Sequence, residues 1–506
     1  MLKSQYKIVH KLANIIHNRL CFLVLLLRNN SIANMEEEYE EYSEEGVKEL
    51  VARFEQTLSA GRPGYFDVEE FEEIIDYYDY NQNINRLEIA LKTASDIHPH
   101  HINFKIKQAQ RLSSNKRYNQ AVKLLEHLIE IEPNNFLIRQ SLAHVYSRMK
   151  KHDKAIDCYI ETIRQGANAK DLWLNIAYEY ESMGKYGIAI EYLEKVLADD
   201  PEDEGALYEI LFCFEMTNEH EKSINFFKDW VEEYPYSKVA WFNLGISYSN
   251  VELYEKAIDA YDFTTTIDEE FASAYFNKAN ALINLKKYGE AIEYFLETFK
   301  YETPDGVTYM YIGQCYEHMD DLDNAVRNYM QAVKINDKLA EAWLNIGMVY
   351  EKLNNYRKAL AYILEAVKIE PGNMEFQYLL GDAYVELDMF DKALEVYVLV
   401  AENSPENKDI WYDLAGTYWD LGEQLKAQET LEKGLLVDEK NYKIRFRQFE
   451  FAYELGRVKM AYQFLHQALD LDSKGSIQLV SEIALLNSDD TLLNIIEDYN
   501  QSNEDK

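Results

Sequence analysis

Apolar and small side chains follow helical spacing through most of this chain, and polar side chains fill the positions between them. Residues 238–271 show the pattern clearly, because one set of positions has the i, i+3, i+4, i+7 spacing of a single helix face. That face carries Trp241, Leu244, Gly245 and Tyr248. Ala257 and Tyr261 mark a second face further along. The segment therefore predicts two helices of about 12–14 residues joined by a short turn.

The same pattern returns every 34 residues. Positions in a repeat are counted from its first residue, so Lys238 is position 1 of residues 238–271. Alanine occupies position 20 in ten of the repeats. These alanines are Ala121, Ala155, Ala189, Ala257, Ala291, Ala325, Ala359, Ala393, Ala427 and Ala461. Leu87 and Ser223 fill position 20 in two further repeats, so twelve repeats run through residues 68–475 without an insertion or deletion. Proline stands at position 32 of six repeats, where a helix has to end because proline lacks the amide donor. A fixed period of this length predicts an all-α solenoid of stacked helix pairs.

Side-chain size also alternates within each repeat. Small residues at positions 8 and 20 let the two helices approach closely, and large residues at position 4 fill the space between neighbouring repeats. We therefore expect a structural core signature formed by Trp173, Trp241, Gly245, Ala257, Trp343, Gly347, Ala359 and Trp411.

This pattern resembles the tetratricopeptide repeat, whose consensus is W-x2-L-G-x2-Y followed by A-x3-F/Y and then P. Residues 238–271 match it through Tyr261, and residues 340–373 and 170–203 match it with small departures. The resemblance covers about four fifths of the chain. It implies antiparallel helix pairs stacked into a right-handed superhelix, with the first helix of each pair lining a concave face that usually holds peptides or partner proteins.

One repeat inside the array, residues 204–237, departs from the pattern. It has Leu211 at the small position 8, Ser223 in place of alanine and Trp230 at position 27. Two interpretations stay open. Either Trp230 fills space that a bulky Leu211 opens, or this repeat is a joint that divides the array.

The remaining segments fall outside the array on both sides. We assign residues 1–34 to a doubtful leader, 35–45 to an acidic disordered arm, 46–67 to an N-terminal capping helix and turn, 476–500 to C-terminal capping helices, and 501–506 to a tail. The leader contains five basic residues and no acid, with an apolar run at 20–27. That run is too short to span a bilayer, and Arg28 interrupts a signal-peptide pattern. We favour Met35 as the true start, with export or membrane anchoring through residues 1–34 as the alternatives.

The formal net charge of −37 disfavours nucleic acid as a partner, because an acidic protein repels a phosphate backbone. The charge supports solubility and could attract basic partner segments. The cysteines Cys158, Cys213 and Cys315 lie in separate repeats with no framework spacing. They suit free thiols in a reducing compartment, which favours a cytoplasmic location.

No phosphate-binding glycine loop, metal-ligand cysteine pair or nucleophile motif occurs in the sequence. We therefore expect no enzyme activity, no cofactor and no metal site. The positions of the first helix that the core leaves unused are 2, 5, 6, 9, 12 and 13. Asparagine recurs at position 6 and aromatic residues recur at position 5. The candidate peptide-binding residues are Asn175, Phe242, Asn243, Phe276, Asn277, Asn280 and Asn345.

An asparagine side chain both donates and accepts, so it can pair with the backbone of an extended peptide of any sequence. Aromatic neighbours would add apolar contact area. The alternative is that asparagine is simply tolerated at this surface. The sequence thus favours a non-enzymatic scaffold or adaptor that binds an extended basic or neutral segment of another protein. The competing hypothesis is an exported or membrane-tethered envelope-associated assembly factor that uses residues 1–34 for targeting.

Overall fold

The structure is a computed structural model that describes residues 44–61, 64–482, 492, 495 and 496. Within these residues the regular elements are 26 α-helices, with no β-strand. A first helix, α1 (Glu44–Ser59), precedes twelve helix pairs, and α26 (Ser473–Glu482) follows them. The prediction of an all-α solenoid is confirmed.

Even-numbered labels denote the first helix of each pair. These helices are α2 Val68–Tyr80, α4 Ile102–Ser114, α6 Phe136–Arg148, α8 Lys170–Ser182, α10 Glu204–Thr217, α12 Lys238–Ser249, α14 Ala272–Asn284, α16 Gly306–His318, α18 Ala340–Lys352, α20 Met374–Val385, α22 Ile410–Asp420 and α24 Tyr442–Glu454. The second helices are α3 Ile84–Ile97, α5 Tyr118–Ile131, α7 His152–Arg164, α9 Tyr186–Asp199, α11 His220–Glu233, α13 Tyr254–Ile267, α15 Tyr288–Thr298, α17 Leu322–Ile335, α19 Tyr356–Ile369, α21 Phe390–Asn403, α23 Gln424–Val437 and α25 Val458–Leu471. Every second helix begins 34 residues after the previous one.

A left-handed residue ends the first helix of every pair at position 15. Three of these residues are glycines, Gly184, Gly422 and Gly456, with φ of 70°, 79° and 71°. The other nine carry side chains: Gln82, Lys116, Lys150, Asn218, Glu252, Lys286, Asp320, Asn354 and Asp388. This conformation is unfavourable for an L residue with a Cβ atom. The turn therefore keeps the same left-handed conformation in every repeat, although only three of the twelve repeats place a glycine there.

Small residues at position 8 are required by the side chain at position 24 of the same repeat. A Cβ atom added to Gly245 would lie 2.4 Å from Cε1 of Tyr261, and one added to Gly347 would lie 2.6 Å from Cγ1 of Ile363. The alanines at position 20, such as Ala257 and Ala359, are fully buried beside these contacts. The helices of a pair thus approach closely where the sequence pattern places small side chains.

The chain divides into two compact bodies between Ala281 and Leu282, within α14. The N-terminal body ends at Ala281, and the C-terminal body begins at Leu282. Each body contains several apolar clusters along its helix pairs. One cluster of the N-terminal body runs without interruption from Ala177 to Ala274 and so passes through the irregular repeat 204–237.

The irregular repeat packs as part of this apolar cluster. Leu211 is buried, and the hydroxyls of Ser223 and Ser247 lie 2.7 Å apart. Trp230 stacks on Phe226 with ring centroids 5.7 Å apart and packs against the same apolar cluster. Leu211 and Trp230 thus belong to one apolar cluster.

Several expectations fall on residues that the structure leaves undescribed. The doubtful leader 1–34, most of the acidic arm 35–45 and the tail 501–506 lie outside the described residues. At the other end, α26 covers the start of the expected C-terminal capping segment, and most of the remainder is also outside. In the part of the chain that is described, no helix is both long and apolar enough to cross a membrane.

Candidate functional site

In several repeats the side chain at position 4 donates a hydrogen bond to the turn before the first helix. The indole Nε1 of Trp241 donates to the carbonyl oxygen of Pro235 at 2.9 Å, six residues earlier. Trp343 and Trp411 donate in the same way to Asp337 and Pro405. In two other repeats the donors are Arg139 to Pro133 and Gln377 to Pro371. In these repeats the side chain at position 4 thus donates to a backbone carbonyl in the turn between repeats, which lies outside the helices.

This role changes the interpretation of the signature tryptophans. We expected all four to lie in the core, and Trp411 is buried, but Trp173, Trp241 and Trp343 are only partly buried. The buried Trp411 and the partly buried Trp241 and Trp343 make this hydrogen bond alike. The sequence pattern identified the position correctly as structural but missed the hydrogen bond, which arginine and glutamine also make.

The first-helix face, defined as positions 2, 5, 6, 9, 12 and 13 of the first helices, is where the sequence placed the candidate peptide contacts. Two of them are in the interior instead. Phe242 is 1% exposed and Asn243 is fully buried. Nδ2 of Asn243 donates to the backbone carbonyl of Leu207 in α10 at 3.0 Å. Phe242 packs against the rings of Tyr261 and Phe271. The expectation that Phe242 and Asn243 contact a peptide is therefore wrong, because both side chains are enclosed within the array.

The remaining candidates do not form one continuous row. Nδ2 of Asn277 donates to Ser273 in its own helix at 2.8 Å, and Asn280 is buried. Phe276, Asn175 and Asn345 are partly exposed. Asparagine at position 6 therefore serves different purposes in different repeats, and these five residues stay candidates.

Carboxylates dominate the first-helix face of the C-terminal body between α18 and α24. The hydroxyl of Tyr397 donates to Asp382 at 2.5 Å, and the hydroxyl of Tyr378 donates to Asp413 on the next first helix. Burial raises the pKa of Asp382 well above its usual value, and repulsion from Asp413 raises it further. Burial likewise raises the pKa of Asp413.

Further acids extend the same surface on both sides of that pair. Burial, with repulsion from Glu386, raises the pKa of Glu351 to about 7. Burial also raises the pKa values of Asp420 and Glu450, and Glu454 repels both of them. We call these seven carboxylates the acidic face: Glu351, Asp382, Glu386, Asp413, Asp420, Glu450 and Glu454.

Three cations lie on this stretch of the first-helix face, and one of them, Lys352, pairs with Glu317 on the preceding first helix. The guanidinium of Arg447 stacks on the ring of Tyr412 at 3.6 Å and pairs with Glu450 at 3.0 Å. Nζ of Lys443 pairs with Asp409 at 2.6 Å, outside the set of seven. The acids thus outnumber the nearby bases. Burial therefore leaves the pKa values of Glu351, Asp382, Asp413, Asp420 and Glu450 raised.

The N-terminal body also buries acids at first-helix-face positions. Glu181, Glu209 and Glu215 are each less than 9% exposed. Nδ2 of Asn250 donates to Glu215 at 2.6 Å, which lowers its pKa, but burial outweighs this and raises the pKa to about 7. Among the described residues, no group of three or more His, Cys, Asp and Glu could hold a metal ion.

Comparison with known families agrees with this architecture. Sequence models described as tetratricopeptide repeat match at residues 112–174, 174–238, 272–301, 308–339, 340–373, 375–407 and 408–441. The chain therefore belongs to the tetratricopeptide repeat family. Repeats of this family commonly form scaffolds that bind other proteins and typically lack catalysis. No curated protein matches the chain.

Comparison with solved structures matches the chain to three proteins, among others. The C-terminal part of a TPR repeat-containing protein from Cytophaga hutchinsonii is 20% identical, covers 47% of this chain and 98% of its own, and has a TM-score of 0.40. The Cut9–Hcn1 hetero-tetramer of the APC/C is 14% identical, with 88% and 96% coverage and a TM-score of 0.38. The MamA protein is 19% identical, with 33% and 92% coverage and a TM-score of 0.31. Similarity at this level carries no argument about partners.

Proposed function

We propose that this protein is a non-enzymatic scaffold that binds an extended segment of a partner protein on its first-helix face. The acidic face of the C-terminal body is the observation that carries the proposal. It recognises basic side chains of that segment. Asn175, Phe276, Asn277, Asn280 and Asn345 remain candidates for contacts that do not depend on partner sequence.

The physical reason lies in the cost of burying carboxylates without enough opposite charge. A group whose pKa is raised by burial and repulsion is held in an unfavourable state when ionised. A lysine or arginine from a partner relieves that state, and the attraction is stronger in a partly desolvated groove than in water. The Tyr378 hydroxyl donates to one of these acids, Asp413, and the Tyr412 ring is already covered by the Arg447 guanidinium.

The test uses labelled 15-residue peptides of matched composition that carry net charges of +4, 0 and −4, with fluorescence anisotropy as the measurement. Wild-type protein is compared with a triple variant of three exposed or partly exposed acids at position 13 of consecutive repeats, Glu386→Gln, Asp420→Asn and Glu454→Gln. We expect the +4 peptides to bind and the variant to lose about tenfold in affinity, since exposed charge pairs contribute up to about 1 kcal/mol each.

A matched control separates a specific face from general attraction to an acidic protein. The variant Asp391→Asn, Glu395→Gln, Glu429→Gln removes three exposed acids from second helices of the same region and changes the net charge equally. The control should bind the +4 peptides like the wild type. Equal losses of affinity in the two variants would show that the overall charge of −37, and not the acidic face, attracts the peptides. That result would contradict the proposal.

We place this scaffold in the cytoplasm as part of the same proposal. The support is that Cys158, Cys213 and Cys315 form no disulfide and occupy separate repeats, as suits a reducing compartment. N-terminal sequencing of the native protein, combined with cell fractionation, tests it. Soluble protein that starts at Met35 agrees, whereas membrane-bound protein that retains residues 20–27 would favour the envelope-associated alternative.

A further inference from the structure

The turns inside the second and third repeats carry a group of basic side chains in the N-terminal body. Lys116 and Arg117 follow α4, and Lys150 and Lys151 follow α6 at the same positions 15 and 16. Lys154 lies at position 19, in the first turn of α7. All five side chains are exposed. We call these five residues the basic edge, which lies outside the first-helix face.

The two turns that form the basic edge are neighbours in space. A guanidinium nitrogen of Arg148, at the end of α6, donates to the hydroxyl of Ser114 at the end of α4, 3.1 Å away. The basic edge is therefore one continuous surface across two repeats.

The charge of the basic edge is left without carboxylate partners. Among the ion pairs of the described residues, none includes a member of the basic edge. Nζ of Lys154 instead lies 5.4 Å from the centre of the Tyr146 ring. Asp153 is the single acid within residues 147–154. Residues 102–169 as a whole hold twelve Lys and Arg against six Asp and Glu, in a chain whose net charge is −37.

The chain carries the complementary charge just before its first described helix. The acidic arm, residues 35–45, contains seven glutamates, and five of them lie in residues 36–41. The arm leads directly into α1, which packs on α2, and α2 in turn packs on α4. The ring of Phe71 in α2 lies 6.1 Å from that of Phe54 in α1 and 6.2 Å from that of Phe104 in α4. The arm thus joins the array at the end where the basic edge lies.

The surface next to the arm repels it, whereas the basic edge lies within its reach. Helix α2 contains six acidic residues and no basic one. Residues 36–43 span up to about 26 Å when extended, at about 3.3 Å per residue. Packed helices lie about 8–10 Å apart, so α4 is about two such spacings from α1 and α6 is about three. The long side chains of glutamate, lysine and arginine add to this reach.

We propose that the acidic arm of this chain binds the basic edge of the same molecule. Glutamates of residues 36–41 pair with Lys116, Arg117, Lys150 and Lys151. One exposed ion pair contributes little, but several pairs on a short tether act together at a high effective concentration. The contact goes beyond the proposed function, because it does not involve the acidic face. It also keeps acidic segments of other proteins away from the basic edge.

Zero-length cross-linking of the full chain tests this contact, because a carbodiimide joins a carboxylate to an amine only where the two groups meet. Mass spectrometry then locates the links. We expect residues 36–43 to be linked to Lys116, Lys150 and Lys151. Lys92 and Lys123 are exposed lysines of the second helices α3 and α5, and they are the controls within the same protein. Links to these two should be several-fold fewer, although Lys92 lies in the repeat nearest to the arm.

Two variants separate a specific contact from general attraction. The double variant Lys150→Glu, Lys151→Glu should reduce the links to Lys116 several-fold, and Lys123→Glu should leave them unchanged. The links to Lys116 should also fall at 0.5 M salt, since exposed charges are screened there. Circular dichroism spectra and melting temperatures establish that each variant is folded.

A mixture of 14N-labelled and 15N-labelled protein distinguishes contacts within one molecule from contacts between copies. Links that join the two isotopes would show that the arm binds another copy, which contradicts the proposal. The proposal is also overturned if residues 36–43 form no links with the basic edge, or form equal numbers with Lys92, Lys123 and the basic edge. The peptide test of the acidic face uses other residues and another measurement, so the two proposals fail separately.

Discussion

The side-chain amide of Asn243 donates a hydrogen bond to the backbone carbonyl of Leu207, 3.0 Å away on the preceding first helix. The contact is buried and joins two consecutive repeats, 36 residues apart in sequence. It explains an asparagine at position 6 as a tie between neighbouring first helices. We therefore expect an asparagine at position 6 to form a hydrogen bond within the array where the neighbouring first helix buries it.

Replacing Asn243 with alanine should destabilise the array without a direct effect on binding. The change removes a buried hydrogen bond and leaves a small cavity, so we expect a loss of about 1–2 kcal/mol in the free energy of unfolding. Urea denaturation followed by circular dichroism measures it. Asn345→Ala, at the same position in a partly exposed setting, is the matched control and should lose less than about 0.5 kcal/mol. Equal losses of unfolding free energy in the two variants would contradict a stabilising role for the hydrogen bond from Asn243 to Leu207.

Gly245 should not tolerate a methyl group. An alanine Cβ atom would lie 2.4 Å from the ring of Tyr261, which is buried and cannot move without disturbing its neighbours. We expect Gly245→Ala to cost about 1–3 kcal/mol through overpacking. Gly187→Ala, near the start of α9, has no atom within 4 Å of the added Cβ and should be neutral or stabilising. Thermal unfolding of the two variants compares them, and a stabilised Gly245→Ala protein would show that the ring has room to shift.

Two substitutions at the left-handed position 15 should change the free energy of unfolding in opposite directions. Glu252 has a φ of 62°, and glycine adopts that conformation without the Cβ penalty. Glu252→Gly should therefore raise the unfolding free energy by up to about 1 kcal/mol, although glycine also loses more entropy on folding. Gly184→Ala at the equivalent position should lower it by about 1 kcal/mol, since nothing but its φ of 70° opposes the methyl group. Melting temperatures that move in the same direction would refute this account.

The sequence was sufficient for the fold because one regularity repeats twelve times, and the helix starts follow it closely. It was insufficient for the surface, because burial at one position depends on the neighbouring repeat. Asn243 is enclosed while Asn345 stays partly exposed, although both stand at position 6.

Glu215 should make the stability of the array depend on pH. Its pKa is about 7 in the folded protein, above the ordinary value of 4.5, because the side chain is 5% exposed. The folded state therefore binds this proton more tightly than the unfolded state between about pH 4.5 and pH 7. Stability from this group is fully present below the unfolded pKa and is lost as the pH rises through the folded one.

Glu215→Gln should remove this loss of stability at high pH, because a glutamine cannot ionise. Its side-chain oxygen still accepts a hydrogen bond from the Asn250 amide. We expect the variant to resemble the wild type at pH 5 and to become more stable than it by up to about 3 kcal/mol at pH 8. Melting temperatures at pH 5, 6, 7 and 8 measure the difference. Glu221→Gln changes an exposed carboxylate of the same repeat and should shift the melting temperature equally at every pH. Parallel curves for wild type and Glu215→Gln would show that Glu215 ionises normally, and the explanation of its raised pKa by burial would then fail.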